Sequence, residues 1–253
     1  MTSATEPYDH AAHASAFGGV AADYAAYRPG YPDGAVSAAV PVGATSVLDL
    51  GAGTGKLTAS LRAPGRNVYA VEPDEAMLDR LRADLPDVLA ASGSAERIPL
   101  ADGTIDAVVV GQAWHWFDVP AARAEIARVL RPAGTLALLW NTDDRDDPLT
   151  AALGDILDSV RPSGGVTSRE RITVPFDAGD GLGAPELVPV DWSWHVSPPH
   201  LHALEDTKSY LILADPDVRG RVHREIDEVL AQFGNPDPVV LAQRCQVWIA
   251  RKA

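Results

Sequence analysis

The chain has a single cysteine, Cys245, among 253 residues, so an internal disulfide and a multi-cysteine zinc site are both excluded. Basic residues are scarce: 21 Lys and Arg stand against 35 Asp and Glu, a net charge of −14 that repels a phosphate backbone. Nucleic acid is therefore not an expected partner. No apolar run reaches the roughly 20 residues that cross a bilayer, and the opening MTSATEPYDH is acidic and polar where a secretory signal is basic then apolar. No membrane partner is expected, and the location expected is cytoplasmic. Internal repeats and low-complexity blocks are missing too, so one architecture should serve nearly the whole chain. What remains is a composition that is 46% hydrophobic, enough for a substantial core in one globular domain.

Short Val- and Leu-rich runs alternate with helical patterns through the first half: SVLDL (46 to 50), NVYAV (67 to 71), DVLAA (87 to 91), IDAVVV (105 to 110) and TLALLW (135 to 140). Runs apolar on both faces predict a parallel sheet covered by helices, and residues 55 to 63, 74 to 85 and 119 to 131 carry apolar positions at helical spacing. This is the βαβ pattern of an α/β fold. Further on, 147 to 160 reads as a helix and 186 to 196 as a strand in which Trp192 and Trp194 share one face and His195 takes the other. Asp215 and Pro216 are an N-cap and a first-turn proline for another helix, and 239 to 253 reads as a final strand that could insert antiparallel. Residues 161 to 185, rich in Gly, Ser and Pro, predict an irregular connection.

VLDLGAGTGK (47 to 56) is the most informative stretch, a strand followed by Gly51, Gly53 and Gly55 and then a helix. Alternate glycines let backbone approach a ligand closely. A Walker loop needs Gly at 50 and Ser or Thr at 57, where this chain has Leu50 and Leu57. The dinucleotide fingerprint started by Gly51 and Gly53 needs a third glycine where Lys56 stands. Asp49 sits poorly beside a pyrophosphate but suits a ligand bearing an ammonium group. Glu72, closing the second strand, can accept hydrogen bonds from both hydroxyls of a ribose. At this level a dinucleotide-dependent oxidoreductase and a non-catalytic cofactor-binding protein stay open beside a transferase.

VLDLGAGTGKLT, YAVEPDEAMLDRLR (69 to 82), GSAERIPLADGTIDAVVVGQAWHWFD (93 to 118) and EIARVLRPAGTLALLWN (125 to 141) together resemble the class I S-adenosylmethionine-dependent methyltransferases. FGGVAADYAAYRPGYP (17 to 32) resembles the N-terminal lid of their small-molecule subgroup, which includes trans-aconitate methyltransferase-like enzymes. The resemblance implies a Rossmann-like, mostly parallel seven-stranded sheet with helices on both faces. It divides one domain into a helical lid (8 to 34), a cofactor-binding core (35 to 141) and a substrate-side half (142 to 253).

Carried over by position, it implies that Gly51, Ala52, Gly53 and Gly55 pack against S-adenosylmethionine, with Asp49 near its ammonium and Glu72 on its ribose. Pro73, Ser94 and Ala95 would address the adenine, Ser94 standing where many relatives carry Asp. Gln112 would approach the methionyl part, and Tyr24 and Arg28 would close over the cofactor, Arg28 toward its carboxylate. The expected acceptor is a small molecule enclosed by Tyr27, Trp114 and Trp116, with His115 a candidate general base or, alternatively, a hydrogen-bonding partner among packing aromatics. No metal is expected: His10 and His13, and His200 and His202, lack a persuasively spaced third ligand and read as surface or packing residues.

Overall fold

Strands at the middle of a sheet need apolar side chains on both faces, and β1 (Ser46–Leu50) is buried at all five positions. The computed structural model describes residues 27–161 and 175–253. With β2 (Asn67–Glu72), β3 (Leu89–Ser92), β4 (Ile105–Gly111), β5 (Leu130–Asp143), β6 (Glu186–Val196) and β7 (Val239–Arg251), β1 builds a seven-stranded sheet in the order β3-β2-β1-β4-β5-β7-β6. β1 to β5 pair in parallel, and β7 runs antiparallel to both neighbours. The expected Rossmann-like, mostly parallel sheet is thus observed, including the antiparallel insertion of the last strand.

Alternation along the strands sorts the core into two layers. Leu48, Leu50, Val108, Val110, Leu136 and Leu138 pack on one face with Ala122, Ile126 and Val129 of α4 (Val119–Val129). Val47, Val109, Ala137 and Leu139 pack on the other with α1 (Asp33–Ala39) and α2 (Lys56–Leu61). Asp49 shares the Val47 face and therefore meets α2. α3 (Glu75–Asp84) is capped by Asp74, whose carboxylate accepts from the Met77 amide at 2.9 Å, and it packs Leu81 beside Ala52 and Ala70.

Two differences from the sequence reading have physical causes. The third strand begins at Leu89 rather than 87, because Pro86 and Asp87 make a turn in which Asp87 pairs with Arg62 at 2.8 Å. It is also partly exposed, as the edge strand of the sheet. The segment after β6, to which the sequence reading gave no element, begins with α6 (Pro198–Asp206): Ser197 caps it, accepting from the His200 amide at 3.3 Å, and proline is tolerated in a first turn whose N–H groups lack partners anyway. Of the expected lid, only residues 27 to 34 fall within the described part, where α1 begins at Asp33.

α6, α7 (Ser209–Ile212) and α8 (Pro216–Gln232) fill the connection between β6 and β7. β6 is parallel to β5 and β7 starts where β6 ends, so this insertion stands at the carboxyl edge of the parallel strands. Its apolar residues Leu201, Leu204, Leu211, Val222, Ile226 and Leu230 form a core with Leu149, Leu153, Ile156 and Leu157 of α5 (Pro148–Val160). Asp147 caps α5 through the Thr150 amide at 2.8 Å. Among the described residues, no helix is long and apolar enough to cross a membrane.

Candidate cofactor and acceptor site

The turn after β1 is where doubly wound sheets bind ligands, at the carboxyl edge between strands that continue in opposite directions. Gly51, Gly53 and Gly55 all take left-handed backbone, with φ of 72°, 56° and 88°. At Gly51 a side chain is excluded twice over, since an added Cβ would lie 2.8 Å from Ala113 Cβ and 3.3 Å from Phe117 Cζ. The Gly51 and Ala52 amides both donate to the Val71 carbonyl, at 2.8 and 3.1 Å, which fastens the turn to β2.

Glu72 is only 6% exposed at the end of β2. One carboxylate oxygen accepts from the Gly53 amide at 2.8 Å and the other from the Asp74 amide at 3.0 Å. Burial pushes its carboxyl above the usual range, and those two amides oppose the shift. Each oxygen keeps a second lone pair for a ligand hydroxyl.

Asp49 is 1% exposed. Its Oδ2 accepts from the Thr58 hydroxyl at 2.6 Å, while Oδ1, also buried, has no hydrogen-bond partner among the described residues. Desolvation raises its carboxyl to about 7, with the Thr58 hydroxyl pulling it down and Glu72 adding to the rise. Thr58 carries no periodicity signal and was missed from sequence. The available clue is its place on the first turn of the helix behind the glycines.

A pocket of ≈ 120 Å³ opens beside the glycine turn. Leu50 and Gly51 form one side, Pro73, Ser94 and Ala95 another, and Glu96, Trp116 and Phe117 complete it. Pro73, Ser94 and Ala95 thus come together as expected. Trp116, expected at the acceptor, stands in this pocket instead, 44% exposed and with its ring 4.8 Å from that of His115. Phe117 and Glu96 are additional. Phe117 belongs to the same AWHWFD segment, where the short 3₁₀ turn Trp114–Trp116 swings it toward the glycine loop.

Trp114, also expected to face the acceptor, is a core side chain, 5% exposed and packed on Phe117 and Phe176 at 5.8 and 5.6 Å. The 3₁₀ turn buries Trp114 and leaves His115 and Trp116 exposed. His115 stays exposed at the carboxyl edge. Gln112 adopts φ 57°, unusual for a side chain with a Cβ, and its amide groups are both engaged: the backbone N donates to the Leu139 carbonyl at 2.9 Å and Nε2 to the Asn141 carbonyl at 3.0 Å.

Residues 27 to 31 cross this edge. Asn141 Nδ2 donates to the Gly30 carbonyl at 2.9 Å, and His200 Nε2 donates to the Tyr27 carbonyl at 3.1 Å. Arg28, expected over the cofactor carboxylate, donates from Nε to Thr207 Oγ1 at 3.0 Å and from Nη2 to the Thr207 carbonyl at 3.3 Å. It therefore ties the N-terminal segment to the β6–β7 insertion. Tyr24 lies outside the described residues. His200 packs edge-on against Tyr27 and Trp194, and His202 stacks on His223 with centroids 4.5 Å apart, which gives both the packing roles expected of them.

Comparison with known proteins adds to this geometry. Residues 48–138 match a family model described as a methyltransferase domain. An uncharacterized methyltransferase of Mycobacterium tuberculosis (strain H37Rv) is 41% identical over 215 residues, which is 85% of each chain. The chain belongs to the methyltransferase family. An uncharacterized methyltransferase-like protein of Schizosaccharomyces pombe is 33% identical over 239 residues, covering 91% of this chain and 93% of its own. A structure from Anaeromyxobacter dehalogenans described as a type II methyltransferase shares the fold, with a TM-score of 0.67 at 24% identity over 89% of this chain and 97% of that one.

Family membership selects S-adenosylmethionine-dependent methyl transfer over the two readings left open by the glycine loop. The site fits that cofactor on three observations. Asp49 Oδ1 is a buried oxygen without a donor among the described residues, Glu72 keeps lone pairs beside the turn, and the pocket next to it is lined by Trp116 and Phe117, faces on which a base can stack.

Proposed function

We propose that this methyltransferase acts on a small molecule, methylating an O, N or C nucleophile held at the carboxyl edge under the β6–β7 insertion. The observation that carries the reading is the junction of the glycine turn and aromatic pocket with a helical insertion built over the same edge. When bound, S-adenosylmethionine supplies an electrophilic methyl on a positively charged sulfur, so the protein's task is alignment and exclusion of water rather than strong chemistry.

Asp49 receives the ammonium, the backbone of Gly51 to Gly55 follows the methionyl and ribosyl parts, and Glu72 accepts from the ribose hydroxyls. Pro73, Ser94, Ala95, Trp116 and Phe117 enclose the adenine, and Gln112 borders the methionyl chain. Arg28 and Tyr27, bound to Thr207 and His200, hold the N-terminal segment across the edge, where Tyr24 would join them. His115 is the group available to take a proton from an acceptor that must lose one; a carboxylate acceptor would need none.

Two measurements test this. Calorimetry on the full chain should show S-adenosylhomocysteine binding more tightly than NAD, and the reverse order overturns the cofactor assignment. With an acceptor found by mass-spectrometric screening for added methyl groups, His115→Gln should lower turnover by roughly a hundredfold at unchanged S-adenosylmethionine affinity. Undiminished turnover removes His115 from the chemistry.

A further inference from the structure

A cavity of ≈ 350 Å³ opens at the edge of the sheet opposite the glycine turn. It lies at the amino ends of β2 and β3, where the loop after α2 supplies Arg62 and Arg66 and the turn after α3 supplies Asp87 and Val88. Asn67 and Leu89, the first residues of the two strands, also line it. A strand rises about 3.3 Å per residue, so roughly 16 Å of β2 separates Asn67 here from Glu72 at the cofactor edge. The cavity therefore belongs neither to the cofactor pocket nor to the acceptor edge.

Its charge runs against that of the chain. Arg62 is neutralised by Asp87, whose Oδ2 accepts from Nε at 3.0 Å and lies 2.8 Å from Nη2. The carboxylate one turn earlier, Asp84, is directed to Arg80 at 2.7 Å. Arg66 is left over, so two arginines against one aspartate give the walls a charge of +1 in a chain of net charge −14. One edge of its guanidinium is fixed: Nη1 donates to the Leu61 carbonyl at 2.8 Å, at the end of α2. The other edge, Nε–H with Nη2–H, is the fork that takes both oxygens of a carboxylate, and the buried Nε has no hydrogen-bond partner among the described residues. Carbonyls at this edge do not compete for an anion's place, since Ala63 O accepts from the Arg66 amide at 3.1 Å and Leu85 O from the Val88 amide at 3.0 Å. Beside the charges stands an apolar wall. Leu89 is 56% exposed next to a partly buried Val88, so an apolar group laid on them removes that surface from water.

We propose that this cavity is a second ligand site and that it takes a small organic acid, with the carboxylate bidentate on Arg66 and a short apolar tail on Val88 and Leu89. The acid is a bound ligand and not the methyl acceptor, because the glycine turn stands at the other end of β2. The proposal does not depend on the identity of the acceptor.

The test is titration calorimetry with the full chain, using hexanoate, its neutral counterpart hexanamide, and acetate, which has the charge without the tail. Hexanoate should bind roughly tenfold more tightly than hexanamide and roughly tenfold more tightly than acetate. Saturation with S-adenosylhomocysteine should leave the hexanoate affinity unchanged. Arg66→Gln should remove about tenfold of that affinity. Asp87→Asn, which releases Arg62 from a half-exposed pair without touching the core, should instead tighten hexanoate by roughly threefold, and it keeps the test available if the Arg66 variant does not fold. Equal binding of acid and amide, no binding of hexanoate at millimolar concentration, loss of its binding on saturation with S-adenosylhomocysteine, or an unchanged affinity in either folded variant would each overturn the proposal.

Discussion

Replacing Asp49 by asparagine changes one atom in the most deeply buried carboxylate of the site, and the consequence can be worked through from its surroundings. Burial holds the folded-state carboxyl at about 7, against an ordinary value of 3.8. Below the ordinary value both folded and unfolded chains carry the proton. Between the two values the unfolded chain has released it and the folded chain has kept it, so the unfolded state binds fewer protons and stability falls as pH rises. Above about 7 both are ionised and the loss is complete. The gap of roughly three pH units corresponds to about 4 kcal/mol.

The substituted amide would be neutral throughout and could still accept from the Thr58 hydroxyl. The Asp49→Asn chain should therefore match the parent at about pH 4, where both states of the parent still hold the proton, and exceed it by about 4 kcal/mol near pH 8. Urea unfolding followed by tryptophan fluorescence from about pH 4 to about pH 8 measures this difference directly. Glu72, shifted in the same direction, is present in both chains and largely cancels. The same linkage governs the cofactor: an ammonium needs the ionised Asp49, so S-adenosylhomocysteine affinity should climb by up to about tenfold per pH unit until near 7 and stay flat in the variant. Parallel stability profiles for the two chains would refute the reasoning, whatever the binding data show.

Gly51→Ala should cost about 2 kcal/mol or more in urea unfolding and abolish S-adenosylhomocysteine binding, because the new Cβ meets Ala113 at 2.8 Å on a backbone at φ 72°; a variant of wild-type stability would contradict that close approach. Trp116→Ala should weaken S-adenosylhomocysteine by roughly tenfold while leaving stability nearly unchanged, since the indole is half exposed and its loss opens no core cavity; unaltered affinity would remove Trp116 from the adenine pocket. Cys245 is fully buried and its thiol is pushed up to about 12, so Ellman's reagent at about pH 8 should find no reactive thiol in the folded chain and one after unfolding. Rapid labelling of the folded chain would show that β7 opens locally.

Much of the fold was legible because its signals are local. Val and Leu runs buried on both faces identify parallel strands without knowledge of neighbours, and the alternation that put Trp192 and Trp194 on the inner face of β6 needs only the period of two. The glycine turn and Glu72 could be read because their chemistry depends on backbone conformation and strand position. The aromatic segment could not. Whether Trp114, Trp116 or Phe117 lines the pocket beside the glycine turn depends on one 3₁₀ turn, and a single turn leaves no periodicity. α6 was missed because its prolines break a helix interior but suit a first turn, and only the Ser197 cap distinguishes the two. The partner of Arg28 lies in a distant part of the chain, and no spacing rule joins residue 28 to residue 207.

The insertion leaves β6 at Val196 and returns in β7 at Val239, and those two residues face each other as a rung of the same antiparallel ladder. Its ends are thus fixed at neighbouring positions whatever lies between them, so its length and sequence can change with little demand on the sheet. Its apolar side packs on the Leu149, Leu153, Ile156 and Leu157 stripe of α5, while Thr207 and His200 hold Arg28 and Tyr27. A transplant that carries this stripe together with the segment from 197 to 238 moves the whole roof as a cassette, and one methyl-donor platform could then be outfitted for a different acceptor by recombination at a single rung.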